Sequence, residues 1–240
     1  MTVIGTVESL WRYPVKSMRG EELPEGFAGI GGIAGDRLFA FRSSANPEGF
    51  PYFTARDQHN MLRYRAMLRR DDESAAMTAV VETTAGDTFA IDDPALISAL
   101  RHGLDEKHQL SLMRSERALA DAYPLSLFSV QTAAKLSHEI GTAWDKRRFR
   151  ANIYLDLPSS DGFAENEFVG RSLRLGDTVI VSVAKKDSRC IMITLDPDTA
   201  AKSPALLKQV AQAHGGTAGV YASVVTEGIV RKGDLVELID

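Results

Sequence analysis

Apolar and polar residues alternate with a period of two along much of this chain, and that period predicts strands. From Val3 to Tyr13, Val3, Gly5, Val7, Ser9 and Trp11 fall on one face, with Ile4, Thr6, Glu8 and Leu10 on the other. Pro14 ends or bends this strand, which predicts an exposed corner at Val15-Lys16-Ser17 that sets a cation beside a hydroxyl. Further strands are predicted at Leu38–Phe41, His108–Arg114, Ala151–Leu155, Val179–Ala184, Ile191–Leu195, Val220–Thr226 and Leu235–Ile239. Met77–Thr83 and Thr88–Ile91 read as a hairpin around Ala85-Gly86-Asp87.

Helical spacing is confined to short segments with recognisable ends. Asp92 or Asp93 caps one running from Pro94 to about His102, with Gly103 as its stop. Ser129 caps Val130–Ile140, where Ala133, Leu136 and Ile140 share a face and Gly141 closes the helix. Ser203-Pro204 starts a third, which ends near His214 at Gly215-Gly216. The strands outnumber these helices and do not alternate with them, so the fold class is mainly β, a β-barrel with a few short helices. A polar linker from Arg114 to Pro124 is the candidate boundary between a smaller N-terminal β-rich unit, 1–115, and a C-terminal barrel, 116–240.

Composition narrows the function classes. A net charge of -4 over 240 residues leaves anion binding to local clusters and gives no chain-wide field for nucleic acid. The interleaved Arg63, Tyr64, Arg65, Met67, Leu68, Arg69 and Arg70 are followed by Asp71-Asp72-Glu73 and read as a solvated strand edge. No apolar run reaches membrane-span length and the N-terminus lacks the pattern of a signal peptide, so the expected location is the cytoplasm. A single cysteine forms no internal disulfide, in keeping with a reducing compartment.

Gly29-Ile30-Gly31-Gly32-Ile33-Ala34 matches G-x-G-x-x-A, but an aromatic strand run follows it where dinucleotide binding needs a helix. The glycines read instead as a tight turn. The histidines are scattered without metal-ligand spacing, and no P-loop, G-x-S-x-G or H-E-x-x-H is present. What remains is Cys190, between the apolar run ending at Ala184 and a second one, Ile191–Leu195. Lys185, Lys186 and Arg189 beside it favour a thiolate, the form that attacks electrophiles and binds soft metals; the plainer reading is a small buried hydrophobe. Lys16-Ser17, Arg37, Arg56, Arg150 with Asn152, and Ser188-Arg189 are separate cation and hydroxyl corners. Gathered at one barrel mouth they make a pocket for a phosphorylated ligand with one soft metal ligand; taken singly they are surface residues.

Six blocks sharpen this reading: Tyr13-Pro14-Val15-Lys16-Ser17, Gly35-Asp36-Arg37, Phe53-Thr54-Ala55-Arg56, Phe149-Arg150-Ala151-Asn152-Ile153, Ser188-Arg189-Cys190 and Asp196-Pro197-Asp198-Thr199. In this order they resemble the MOSC-domain proteins, with the amidoxime-reducing component branch nearest. The resemblance implies an N-terminal MOSC β-barrel domain, a MOSC domain, and a molybdenum cofactor, a pterin phosphate whose dithiolene holds molybdenum. It implies Cys190 as the catalytic residue and metal ligand. Lys16, Ser17, Arg37, Arg56, Asp121, Arg150, Asn152 and Ser188 are implied as the cofactor-binding set. The implied activity is reduction of N-hydroxylated or related N-oxygenated small molecules; the alternative is a sulfur carrier or cofactor-binding protein using a Cys190 persulfide. The chain departs from the pattern at Ala151, where the family has proline, and at Tyr123, where a small hydroxyl is expected. With no ferredoxin-type cysteines in the sequence, a separate electron-donor protein is expected.

Overall fold

The computed structural model describes residues 1–70, 76–158 and 160–239. The N-terminal half contains β1 (Thr2–Arg12), β2 (Glu21–Leu23), β3 (Glu25–Gly29), β4 (Gly32–Ile33), β5 (Phe39–Ser43), β6 (Tyr52–Phe53) and β7 (Arg65–Arg70). There follow β8 (Met77–Glu82), β9 (Thr88–Ala90), helix α1 (Pro94–Arg101) and β10 (Leu110–Arg114). The C-terminal half contains β11 (Leu125–Ser129), α2 (Val130–Ile140), β12 (Ile153–Asp156), β13 (Ser172–Leu175), β14 (Val179–Ser188), α3 (Ala205–Ala213), β15 (Thr217–Thr226), β16 (Gly228–Arg231) and β17 (Leu235–Ile239).

Seven of these strands close a barrel in the order β12-β11-β15-β14-β13-β17-β1, with β12 returning to β1. Thus the N-terminal strand completes a barrel otherwise built from the C-terminal half, through pairs such as Thr6↔Asp156 and Leu10↔Ile153. Closure removes the unpaired sheet edges that would recruit other chains. Only β11 and β12 run parallel within it, joined by the α2 crossover. The period-two pattern places Val7, Leu127, Leu155, Leu173, Val181, Val220 and Val236 inside, all essentially solvent-free. Each such aliphatic side chain contributes about 1.5–3 kcal/mol by leaving water.

A second core lies under the sheets β10-β5-β6 and β7-β8-β9, where Phe39, Phe41 and Phe53 pack with Met18, Met61 and the α1 residues Leu96 and Leu100. Helices α2 and α3 cover the outside of the barrel through Leu136, Leu206 and Val210, against Phe128 and Tyr154. The predicted helix ends hold: Asp93 accepts from Ala95 N–H at 2.8 Å, Ser129 accepts from Thr132 N–H at 3.1 Å, and Gly141 adopts φ 73°. Helix α3 differs slightly, since Pro204 occupies its N-cap without a side-chain cap.

Three further departures matter for function. Val15, Lys16 and Ser17 form no exposed corner; they are buried, because Pro14 turns the chain inward and Lys16 N–H bonds Phe39 O at 2.8 Å. The strand predicted to end at Ala184 runs on to Ser188 as β14, held by the pairs Lys185↔Tyr221, Lys186↔Val220 and Ser188↔Thr217. The run after Cys190 is not a strand but a 3-10 turn, Ile191–Thr194, whose Ile193 and Thr194 are buried.

Elsewhere the local pattern carries over. Gly29 and Gly32 belong to the tight β3–β4 hairpin and no helix opens there, so the dinucleotide match is excluded on geometry. Gly32 has φ 102°, and a Cβ there would lie 2.4 Å from Pro124 O. Arg65, Arg69 and Arg70 are exposed along β7 at the margin of a three-stranded sheet; Asp71-Asp72-Glu73 lie outside the described residues. Strand β11 escapes sequence reading because all five of its residues are buried, which erases the alternation.

Candidate functional site

At the barrel mouth lies a cleft partly open to solvent, and every residue of the implied site lines it. Lys16 and Ser17 come from the inward turn after β1, Arg37 from the turn before β5, and Arg56 from the turn after β6. Asp121 belongs to the linker, which is no mere spacer: Leu119 N–H bonds Arg37 O at 2.9 Å and Leu119 O accepts from Lys16 Nζ at 2.7 Å. Arg150 and Asn152 sit where the 3-10 turn Lys146–Phe149 runs into β12, and Ser188 and Cys190 sit at the end of β14.

Left-handed backbone clusters here. Ser17, Arg37 and Arg150 have φ of 66°, 45° and 53°. Outside glycine such conformations cost on the order of 1–3 kcal/mol each and persist where surrounding packing holds them. The structure holds them with Asp36, whose buried carboxylate accepts from Tyr13 N–H at 2.8 Å and pairs with Arg37, and with the bond from Arg37 Nη2 to Arg150 O at 3.1 Å. The Tyr13 ring carries two guanidinium groups, Arg37 at 4.8 Å and Arg150 at 4.3 Å. Gly219 completes the wall with φ 79°: a Cβ there would lie 2.9 Å from Arg189 Nη2.

The cations of the cleft are not equivalent. Lys16 pairs with Asp121, Arg37 with Asp36, and Arg189 Nη2 faces Asp187 at 2.8 Å. Arg148 is held by Asp196 at 2.8 Å and by Thr194 O at 3.1 Å. Arg150 has no such carboxylate: its Nη2 is shut off from solvent with no hydrogen-bond partner among the described residues, although the residue as a whole keeps some exposure. Burial, opposed by Tyr13 and reinforced by the Arg37 charge, lowers its pKa to about 10. Burial also works to raise the Asp121 carboxyl, but the Lys16 ammonium outweighs it and holds Asp121 below its ordinary value. A desolvated guanidinium with an idle donor, beside Lys16, Ser17 and Arg37, is chemically matched to a phosphate oxygen.

Cys190 is partly exposed in the same cleft. Its sequence neighbours are not the cations that serve it. Lys185 lies 5.5 Å over the Tyr123 ring, and Arg189 reaches Ala218 O at 2.6 Å and Phe149 O at 2.8 Å. The cation at the sulfur is Arg56, whose Nη2 lies 3.3 Å from Sγ while its guanidinium stacks 5.0 Å over Phe50. No cluster of three or more His, Cys, Asp or Glu residues suits a metal ion among the described residues, so the thiol has no such cluster around it.

Sequence reading missed Phe50, Tyr13, Asp187 and Tyr221 as parts of this site. Phe50 sits in a loop whose composition gives no signal. For Asp187 the alternation of Val179, Val181 and Val183 gives no signal either, because Lys185 shares their parity and is exposed where the register of β14 on β15 shifts.

A closed β-barrel with a cation-lined cleft beside one thiol defines the class. The chain belongs to the MOSC-domain family, with the MOSC N-terminal beta barrel domain matching residues 4–110 and the MOSC domain matching residues 114–237. MOSC domains bind molybdenum cofactor or act as sulfur carriers. A search of the curated proteins gives no match. Among solved structures, the YUAD protein from Bacillus subtilis is 12% identical with a TM-score of 0.51, over 98% of this chain and 94% of that one. YiiM from Geobacillus stearothermophilus is 19% identical with a TM-score of 0.39, over 49% of this chain and 55% of that one. At 12% identity the likeness to the Bacillus subtilis protein speaks to fold alone. No helix among the described residues is long and apolar enough to cross a membrane.

Proposed function

We propose that the cleft holds a molybdenum cofactor and that the protein reduces N-hydroxylated or related N-oxygenated small molecules. The observation that carries this reading is the idle, desolvated Nη2 of Arg150 in the same cleft as the Cys190 thiol. Lys16, Ser17, Arg37 and Arg150 would bind the phosphate, with Asn152, Ser188 and Asp121 orienting the pterin. Cys190 would be the protein ligand to the metal, with the Arg56 guanidinium 3.3 Å from its sulfur. When bound, the cofactor supplies two-electron chemistry at nitrogen–oxygen bonds. The protein fixes ligand orientation through its strained, tightly held turns and leaves one face open for a small-molecule substrate. Electrons would come from a separate donor protein, and the expected setting is the cytoplasm. In this reading residues 1–115 form the N-terminal barrel-like domain and residues 116–240 the MOSC domain.

Molybdenum per chain, measured on protein from a host that makes the cofactor, tests this. Near-stoichiometric metal in the wild type and its loss in Cys190→Ala is the expected result. No metal in either protein would overturn the reading and leave the sulfur-carrier alternative.

A further inference from the structure

Two carboxyl groups line the cleft among the described residues, Asp121 and Asp187, and their surroundings are opposite. Asp121 is exposed, paired with Lys16 and 4.0 Å from Arg56. Asp187 is 2% exposed. Its Oδ2 accepts from Ser126 Oγ of β11 at 3.0 Å and faces Arg189 Nη2 at 2.8 Å, and the Tyr221 hydroxyl of β15 lies near enough to act on it. Arg37 is the remaining charge that acts on it. Burial pushes the Asp187 carboxyl up; Arg189 opposes this but is itself shared with Ala218 O and Phe149 O, and burial prevails. Burial and the neighbouring Asp187 likewise raise Tyr221 and keep it a neutral phenol. Tyr221 stacks on Tyr123 at 5.8 Å, and the exposed Lys185 lies 5.5 Å and 5.9 Å from these two rings. Tyr221 is itself partly exposed and lines the cleft beside Asp187, so its hydroxyl stands between the buried acid and solvent.

We propose that Asp187 delivers a proton to substrate in the cleft and that Tyr221 connects it to solvent. The proposal rests on the reductase reading. There the substrate N–O bond breaks, two electrons come from the external donor protein by way of the cofactor, two protons are taken up, and the products are the N–H compound and water. Asp187 gives one of those protons and the second comes from solvent. The carboxylate left behind is held by Arg189 and Ser126 until it is reprotonated through Tyr221.

The test uses the full chain as wild type, Asp187→Asn and Tyr221→Phe, with and without cofactor. Infrared difference spectra, wild type minus Asp187→Asn, follow the Asp187 carboxyl band against pH. The expected band persists above the ordinary aspartate range of about pH 4; a band lost by about pH 4 overturns the proposal. In the loaded enzyme, an N-hydroxylated amidine serves as probe. Asp187→Asn is expected to lower kcat roughly 100-fold or more, with KM and molybdenum content kept and the alkaline limb of the pH profile gone. Tyr221→Phe is expected to give an intermediate kcat and a larger solvent isotope effect. Wild-type kcat and pH profile in Asp187→Asn would refute the assignment. A loaded wild type without turnover would instead refute the reductase reading, and with it the role of Asp187 as donor to this substrate, while the infrared band decides whether the buried carboxyl keeps its proton.

Discussion

Replacing Arg150 with methionine separates stability from ligand binding, and the structure gives both signs. Burial lowers the pKa of Arg150 to about 10, so the folded state disfavours its charge. By the linkage of pKa to stability this penalty is about 3 kcal/mol. It is present in full below about pH 10 and fades as the pH rises further, where the folded group deprotonates ahead of the unfolded one. Methionine removes the penalty and keeps apolar contact with Tyr13, but loses the guanidinium–ring attraction at 4.3 Å, which is about 1 kcal/mol. The backbone strain at φ 53° is the same for either side chain. The ligand-free variant is therefore expected to be about 1–2 kcal/mol more stable than wild type, a rise of about 2–8 °C in Tm for a chain of this size. Phosphate acts against this ranking. Wild type is expected to gain about 2.7 kcal/mol at a phosphate concentration 100-fold above its Kd, and the variant, left with Lys16, Ser17 and Arg37, to gain less at the same concentration. Thermal scans of cofactor-free protein at neutral pH, with and without inorganic phosphate, read both effects. A Tm below wild type without phosphate, or an undiminished phosphate shift in Arg150→Met, would refute the reasoning.

Arg56→Leu removes the cation 3.3 Å from Cys190 Sγ, so thiol alkylation by iodoacetamide near pH 7 is expected to slow several-fold without loss of Tm. Glu165 is solvent-free; its carboxylate accepts from Ser129 Oγ at 2.7 Å and Thr132 Oγ1 at 2.9 Å at the start of α2. Glu165→Ala strands these donors and opens a cavity, so chemical denaturation should show a loss of about 2–4 kcal/mol. Asp36→Ala leaves Arg37 and Tyr13 N–H without their buried partner and is expected to cost about 3–5 kcal/mol, together with the phosphate-induced Tm shift.

Much of this protein is legible in its sequence because the information is local. Alternation in Val3–Tyr13 and Val179–Ala184 marks barrel strands, since a pleated strand turns successive side chains to opposite faces. Ser129 and Gly141 bound α2 because a helix leaves its first N–H and last C=O groups unpaired. The mainly β class and the rejection of the glycine-rich dinucleotide match follow from the same short-range rules. The order and residue types of the blocks from Lys16 to Cys190 likewise point to the MOSC family.

The meeting of those blocks belongs to the tertiary structure. Arg56 reaches Cys190 across 134 positions and Lys16 reaches Asp121 across 105, distances set by barrel closure and by where the second core packs on its mouth. The cations adjacent to Cys190 in sequence are directed elsewhere, because β14 continues through Ser188 and points Lys185 and Arg189 at Tyr123, Ala218 and Phe149. Whether Lys16 is exposed, whether Arg150 lacks a counter-charge and whether Asp187 lies in the cleft depend on desolvation, and desolvation is a property of the assembled fold that no run of neighbouring residues encodes.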